Sequence, residues 1–125
     1  MKWCLLFVFF AAAHPCFAQN KAENAAIWQK IHLNFKNLDK DGMAGEAGSK
    51  VEQHYEFCIP ATRKNWKTVK KTDPTAKRNQ GKGRIGCTAS EWLIIGCTHQ
   101  PNYQRVLYKL ASLPFVKRIE PVYWE

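Results

Sequence analysis

The chain has 125 residues, 46% of them hydrophobic and 13% aromatic, and carries a formal net charge of +9. That length suits one compact domain rather than two, and the aromatic content argues against a disordered chain. The positive excess leaves the fold open but points to anionic rather than cationic partners.

Residues 1–18 read as an export signal. Lys2 precedes an apolar run over 3–13, and Cys16-Phe17-Ala18 sets a small residue ahead of Gln19, where cleavage is expected. The run is 11 residues long, short of the roughly 20 that a membrane-spanning helix needs. No transmembrane segment is expected, and a secreted or periplasmic location follows. Residues 19–125 then form a single exported domain of charge +8, because only Lys2 is lost with the signal. Cys4 and Cys16 leave as well, so Cys58, Cys87 and Cys97 remain. In an oxidising compartment three thiols predict one intramolecular disulfide and one leftover cysteine, with three connectivities open.

Residues 20–26 are polar and alanine-rich, and predict a helical turn or a loose arm. Over 27–38, Ile27, Ile31, Phe35 and Leu38 fit a helical stripe, while Ile31, Leu33 and Phe35 alternate as in a strand. The length of the stripe favours helix. Three glycines make 39–49 a loop. Val51, Gln53, Tyr55, Phe57 and Ile59 share one face of an alternating segment, a strand that stops at Pro60. Residues 61–72 predict a short helix packed through Trp66 and Val69 and ended by Asp73-Pro74.

The polar, basic and glycine-punctuated stretch 74–86 predicts a long loop. The continuous apolar run 92–97 predicts a central strand covered on both faces. Pro101 opens a helix with Val106, Leu107, Leu110 and Leu113 on its apolar face, and Pro114 closes it. Residues 115–124 alternate loosely as a last strand. The strand-helix-strand unit over 92–124 implies two parallel strands with a right-handed crossover. The fold class is α/β (α+β), a small sheet of three or four strands covered by two or three helices.

Charge is the most localised property of the chain. Arg63, Lys64, Lys67, Lys70, Lys71, Lys77, Arg78, Lys82 and Arg84 fall between positions 63 and 84 with one acid, Asp73. This arm carries +8, so the rest of residues 19–125 sums to zero. Such a patch attracts an anionic polymer (nucleic acid, polysaccharide or an anionic lipid surface) or an acidic protein. Its bland counterpart is a solvated face that keeps a small protein soluble.

Catalytic candidates are few. His54 and Glu56 share one face of a strand, and His99 follows the end of another. A secreted nuclease would need such an acid and base beside a cationic clamp. No metal site is expected, because His54-x3-Cys58 and Cys97-x-His99 lack the paired spacing of structural zinc sites. Asn37-x-Asp39-x-Asp41-Gly42 copies half of a calcium loop, but Gly48 stands where the closing glutamate belongs. No cofactor is expected either. Gly81-x-Gly83-x-x-Gly86 spells the dinucleotide fingerprint with a basic loop before it and an apolar strand after it, the reverse of the context the fingerprint requires.

Leu113-Pro114-Phe115-Val116 and Val116-Lys117-Arg118-Ile119-Glu120-Pro121 resemble the closing corner of the propeptide inhibitor domains of subtilisin-type proteases. The resemblance covers about a fifth of residues 19–125 and implies a ferredoxin-like arrangement, with protease inhibition as a possible role. Residues 55–62 and 83–99 resemble a small uncharacterised exported bacterial family, which lends no function. The function expected from these readings is non-catalytic binding through the basic arm. A small secreted hydrolase such as a nuclease, and a propeptide-like inhibitor, are the alternatives.

Overall fold

A computed structural model describes residues 16–123; most of the expected signal, residues 1–15, lies outside them. The order of elements is helix α1 (Cys16–Gln29), strands β1 (Met43–Ala44), β2 (Val51–Glu52) and β3 (His54–Pro60), helix α2 (Arg63–Thr72), strands β4 (Lys77–Asn79) and β5 (Glu91–Cys97), helix α3 (Tyr103–Ser112) and strand β6 (Glu120–Pro121). Strands β1 and β2 form a small antiparallel hairpin. The other four make one sheet in the order β4-β5-β3-β6, and every neighbouring pair is antiparallel. From β3 onward the chain runs β-α-β-β-α-β, which is the ferredoxin-like arrangement. Strands β5 and β6 point the same way, as the crossover reading required, with β3 between them.

Local chemistry sets the boundaries. The Thr62 side chain accepts a hydrogen bond from Asn65 N at 3.1 Å and so caps the start of α2. The helix stops where the Asp73 amide bonds back to Val69 O and Pro74 prevents a further turn. Helix α3 follows Asn102, a non-glycine residue in the left-handed region at φ 54°. It buries Tyr103, Leu107, Leu110 and Ala111, while Gln104, Arg105 and Lys109 face solvent.

Alternation along β3 divides the sheet. Tyr55, Phe57 and Ile59 are fully buried against the helical layer, where they meet Ile94, Val69, Leu107, Leu110, Val116 and Ile119. On the opposite face Cys58, Leu93 and Ile95 pack under Ile85 and Cys87, and a disulfide joins Cys58 to Cys87. Cys97 is a free cysteine. Strand β5 is thus covered by helices on one side and by the loop before it on the other.

Five boundaries differ from those expected, one being the expected loop 39–49, which contains strand β1 where Met43 and Ala44 pair with Glu52 and Val51. Helix α1 ends at Gln29 rather than continuing to Leu38. Beyond it Ile31 and Leu33 are buried, His32 is exposed, and Ile31 bridges Ile119 in parallel. The period-two pattern of Ile31 and Leu33 prevails because it places both side chains in the core alongside the C-terminal strand. Only a single turn, Phe35–Asn37, is helical again.

The strand expected over 51–59 breaks at Gln53, since Val51 and Glu52 turn away to pair with β1 and leave Val51 exposed. The expected loop 74–86 contains the edge strand Lys77–Asn79, whose basic side chains conceal a ladder with Leu93, Ile94 and Ile95. The last strand shrinks to Glu120–Pro121. Among the described residues no helix is long and apolar enough to cross a membrane.

Candidate functional site

Two neighbouring regions carry the polar chemistry. The first is the basic arm. All nine of its cations are exposed, carried by α2, by β4 at the end of the sheet and by the loop that follows. Within α2, Val69 is buried and Trp66 half-buried against the core, so Trp66 packs rather than presenting an open stacking face. Lys70 and Arg78 are among the arm cations with intramolecular partners. Lys70 Nζ donates to Pro74 O and Ala76 O, both at 2.9 Å, and so closes the C-terminal end of α2. The Arg78 guanidinium lies 3.6 Å from the centre of the Trp92 ring. Lys77 and Asn79 project to the opposite face of the strand from Arg78.

The loop carrying Lys82 and Arg84 is held down at several points. Gly83 has φ +64°, and a Cβ there would come within 2.9 Å of both Glu56 Oε2 and Leu93. Ile85 N donates to Glu56 Oε1 at 2.8 Å, Cys87 N donates to Lys82 O at 2.8 Å, and Arg118 Nη2 donates to Ile85 O at 2.6 Å. The disulfide fastens the far end of the same loop. Its cations are therefore presented from a fixed backbone.

The second region is a groove of about 470 Å³ on the helix-free face of the sheet, lined by Glu52, His54, Thr75, Lys77, Asn79, Ile95, Gly96, Cys97 and His99. His54 and Cys97 are register partners across β3 and β5, so the ladder itself places the imidazole beside the thiol. Glu52 comes from the hairpin just before β3. Its Oε1 lies 3.5 Å from His54 Nε2, and its Oε2 accepts from Cys97 Sγ at 3.0 Å. His99 N donates to Cys97 Sγ at 3.3 Å, while its ring Nδ1 lies 3.2 Å from Asp41 O. Burial, followed by the hydrogen bond to Glu52, pushes the Cys97 thiol up to about 11. By itself this cysteine is a thiol at neutral pH and a poor nucleophile.

Behind the groove lies a buried polar network. Asp73 is wholly buried and accepts from the Tyr55 hydroxyl, from Thr75 N at 2.9 Å and Oγ1 at 2.7 Å, and from Gln100 Nε2 at 3.1 Å. Burial, and then the Asp73 carboxylate, raise the Tyr55 phenol far above its ordinary value. The Thr75 hydroxyl in turn accepts from Cys97 N at 3.0 Å. Gly96 makes this packing possible, because a Cβ there would lie 2.5 Å from the Tyr55 ring. Every buried side-chain polar atom among the described residues has a partner.

Of the three sequence candidates for catalysis, two share the groove and one lies elsewhere. His54 lies in the groove and His99 at its rim. Glu56 is buried at 4% exposure and serves as the acceptor that holds Ile85. Cys58 belongs to the disulfide, so the His54-x3-Cys58 pairing does not form a site. The structure instead brings Glu52 and Cys97 to His54. The alternation His54, Glu52 and the antiparallel register opposite Cys97 were the available signals, but the register cannot be read before the strands are paired. The half calcium loop is a turn, in which Asp39 Oδ1 accepts from Asp41 N at 2.9 Å and Met43 N at 3.0 Å, and Oδ2 accepts from Lys50 at 2.7 Å.

Compared with known proteins, the chain matches no family model, no curated protein and no solved structure.

Proposed function

We propose that the protein is an exported, non-catalytic binding protein whose basic arm holds a polymer bearing phosphate or sulfate groups. The observation that carries this reading is the exposure of all nine arm cations on one helix, the adjoining edge strand and a loop fastened by the disulfide. Fixing the loop before binding lowers the entropic cost of docking a ligand on Lys82 and Arg84. The disulfide also supports an oxidising, extracytoplasmic location.

Salt dependence tests the reading. Each phosphate contact contributes roughly −0.7 to −0.9 to the slope of log affinity against log salt. Replacing Lys64, Lys67, Lys71, Lys77 and Lys82 by Gln leaves Lys70 and Arg78 in their structural contacts, and should flatten the slope for a nucleic-acid ligand by about 3.5 to 4.5 if all five touch phosphate. The same number of changes at Lys21, Lys36, Lys40, Lys109 and Lys117 should do much less. Equal effects from the two sets, with both variants folded by circular dichroism, would reduce the arm to a solvated face.

A small hydrolase such as a nuclease is the second reading. Lys77 favours it, since the residue belongs both to the basic arm and to the groove that holds His54 and Cys97. Its test is cleavage of single-stranded nucleic acid that disappears with His54→Ala.

A further inference from the structure

Glu52, His54 and Cys97 each offer one donor atom, and the three atoms lie within 4.8 Å of one another. We propose that these three side chains bind one zinc ion, with the fourth coordination position open to the groove. The donor set selects the class of metal. Thiolate and imidazole suit zinc, whereas calcium and magnesium take all-oxygen shells.

The spacing already approaches what the ion requires. With zinc about 2.0–2.3 Å from each donor, tetrahedral angles put donor atoms roughly 3.3–3.6 Å apart. The Glu52 oxygens stand 3.5 Å from His54 Nε2 and 3.0 Å from Cys97 Sγ. These approaches use different carboxylate oxygens, so metal entry must turn the Glu52 carboxylate and draw in donors that stand within 4.8 Å of one another, together with loss of the thiol proton.

The surroundings hold the donors in place as an outer shell does in metal sites. Thr98 is fully buried; its amide donates to Gln53 O at 2.9 Å, and Gln53 N donates to Thr98 Oγ1 at 3.1 Å. This two-way latch joins the residue between Glu52 and His54 to the residue between Cys97 and His99. Thr98 Oγ1 lies 2.6 Å from Gly42 O, and Gly42 has no room for a side chain, because a Cβ there would meet Thr98 O at 1.9 Å. The backbone N–H of His99 points at Cys97 Sγ and the Thr75 hydroxyl takes the Cys97 amide, so the sulfur is oriented before any ion arrives. Cys58 and Cys87 are consumed by the disulfide, which leaves Cys97 as a reduced soft donor beside an imidazole and a carboxylate.

The test uses the full chain with its disulfide intact, stripped with a chelator and then titrated with zinc by calorimetry and with cobalt by absorption. One ion per chain is expected, with a sulfur-to-cobalt charge-transfer band and a tetrahedral visible band. Zinc should also slow alkylation of Cys97 in the unaltered protein, a readout that needs no variant. Cys97→Ser should abolish the charge-transfer band, and His54→Ala and Glu52→Ala should each weaken zinc at least tenfold. His32→Ala, at a histidine paired with Glu120 elsewhere, should change nothing. Alkylation unaffected by zinc, or the same stoichiometry and affinity in a folded Cys97→Ser/His54→Ala double variant, would overturn the proposal.

Discussion

Reducing the Cys58–Cys87 bond tests how much of the stability of this domain resides in the denatured chain. The bridge spans a sequence separation of 29. Closing a loop of that size lowers the entropy of the unfolded chain by about 12 cal/mol/K, or ~3.6 kcal/mol at 25 °C. Unfolding entropy of about 2.1 cal/mol/K per residue over a domain of this length converts that figure into a fall in melting temperature of ~15 °C. Differential scanning calorimetry with and without a phosphine reductant measures it directly, with a chelator present in both samples so that any metal at Cys97 contributes nothing. Reduction leaves every side chain in place, so the loss comes without the cavity that Cys87→Ala would open at a site only 1% exposed. A shift below ~5 °C would mean that contacts such as those of Ile85 and Leu93 already confine the loop in the unfolded ensemble, and the chain-entropy argument would fail here.

Other perturbations separate structural from functional roles. Glu56→Ala should leave Ile85 N without its acceptor, cost about 1–3 kcal/mol and accelerate hydrogen exchange at Ile85; an unchanged exchange rate would show that the disulfide alone fixes the loop. Gly96→Ala should destabilise by about 1–3 kcal/mol through overpacking on the Tyr55 ring, seen as a lower denaturant midpoint at constant slope. Tyr55→Phe should cost a similar ~1–3 kcal/mol, because fully buried Asp73 then loses a donor. The Lys50 hydrogen bond, aided by the Met43 amide, lowers the Asp39 carboxyl to about 2. A folded value below the unfolded one stabilises above the unfolded carboxylate range and is lost as pH falls towards 2. Titration of Asp39 by NMR should follow that course, and Lys50→Met should move it back up.

The parts of the fold legible in the sequence were those in which one pattern had no competitor. The run 92–97 is strand β5, the Leu107–Leu110 stripe lies on α3, and Asp73-Pro74 ends α2. Residues 27–38 carried two periodicities at once, and the partner that selected the strand-like one, Ile119, lies far along the chain. Strand β4 was hidden because its exposed edge position rewards Lys and Arg rather than apolar residues, so its composition reads as loop. The groove was partly visible. His54 and His99 stood out as titratable, but Glu52 becomes a neighbour of Cys97 only through the register of β3 on β5 and the turn back from β1. Glu56 stood out for the same residue type and proved to be a backbone acceptor, which burial decides and sequence does not show.

The order of strands in space has a consequence for how the chain must assemble. Strand β3 is one of the two inner strands and the earliest of the four to be made, yet Glu56 pairs with Ile95 on one side and with Glu120 on the other. One edge of this strand therefore stays unpaired until Glu91–Cys97 is present, and the other until Glu120–Pro121 is. Such distant pairing slows folding relative to local contacts, and β6 joins a sheet whose other three strands are complete by Cys97. A chain ending before Ile119 would expose β3 along one side and lose the partner that holds Ile31. Glu120 and Pro121, only two residues, are the ones that complete the sheet.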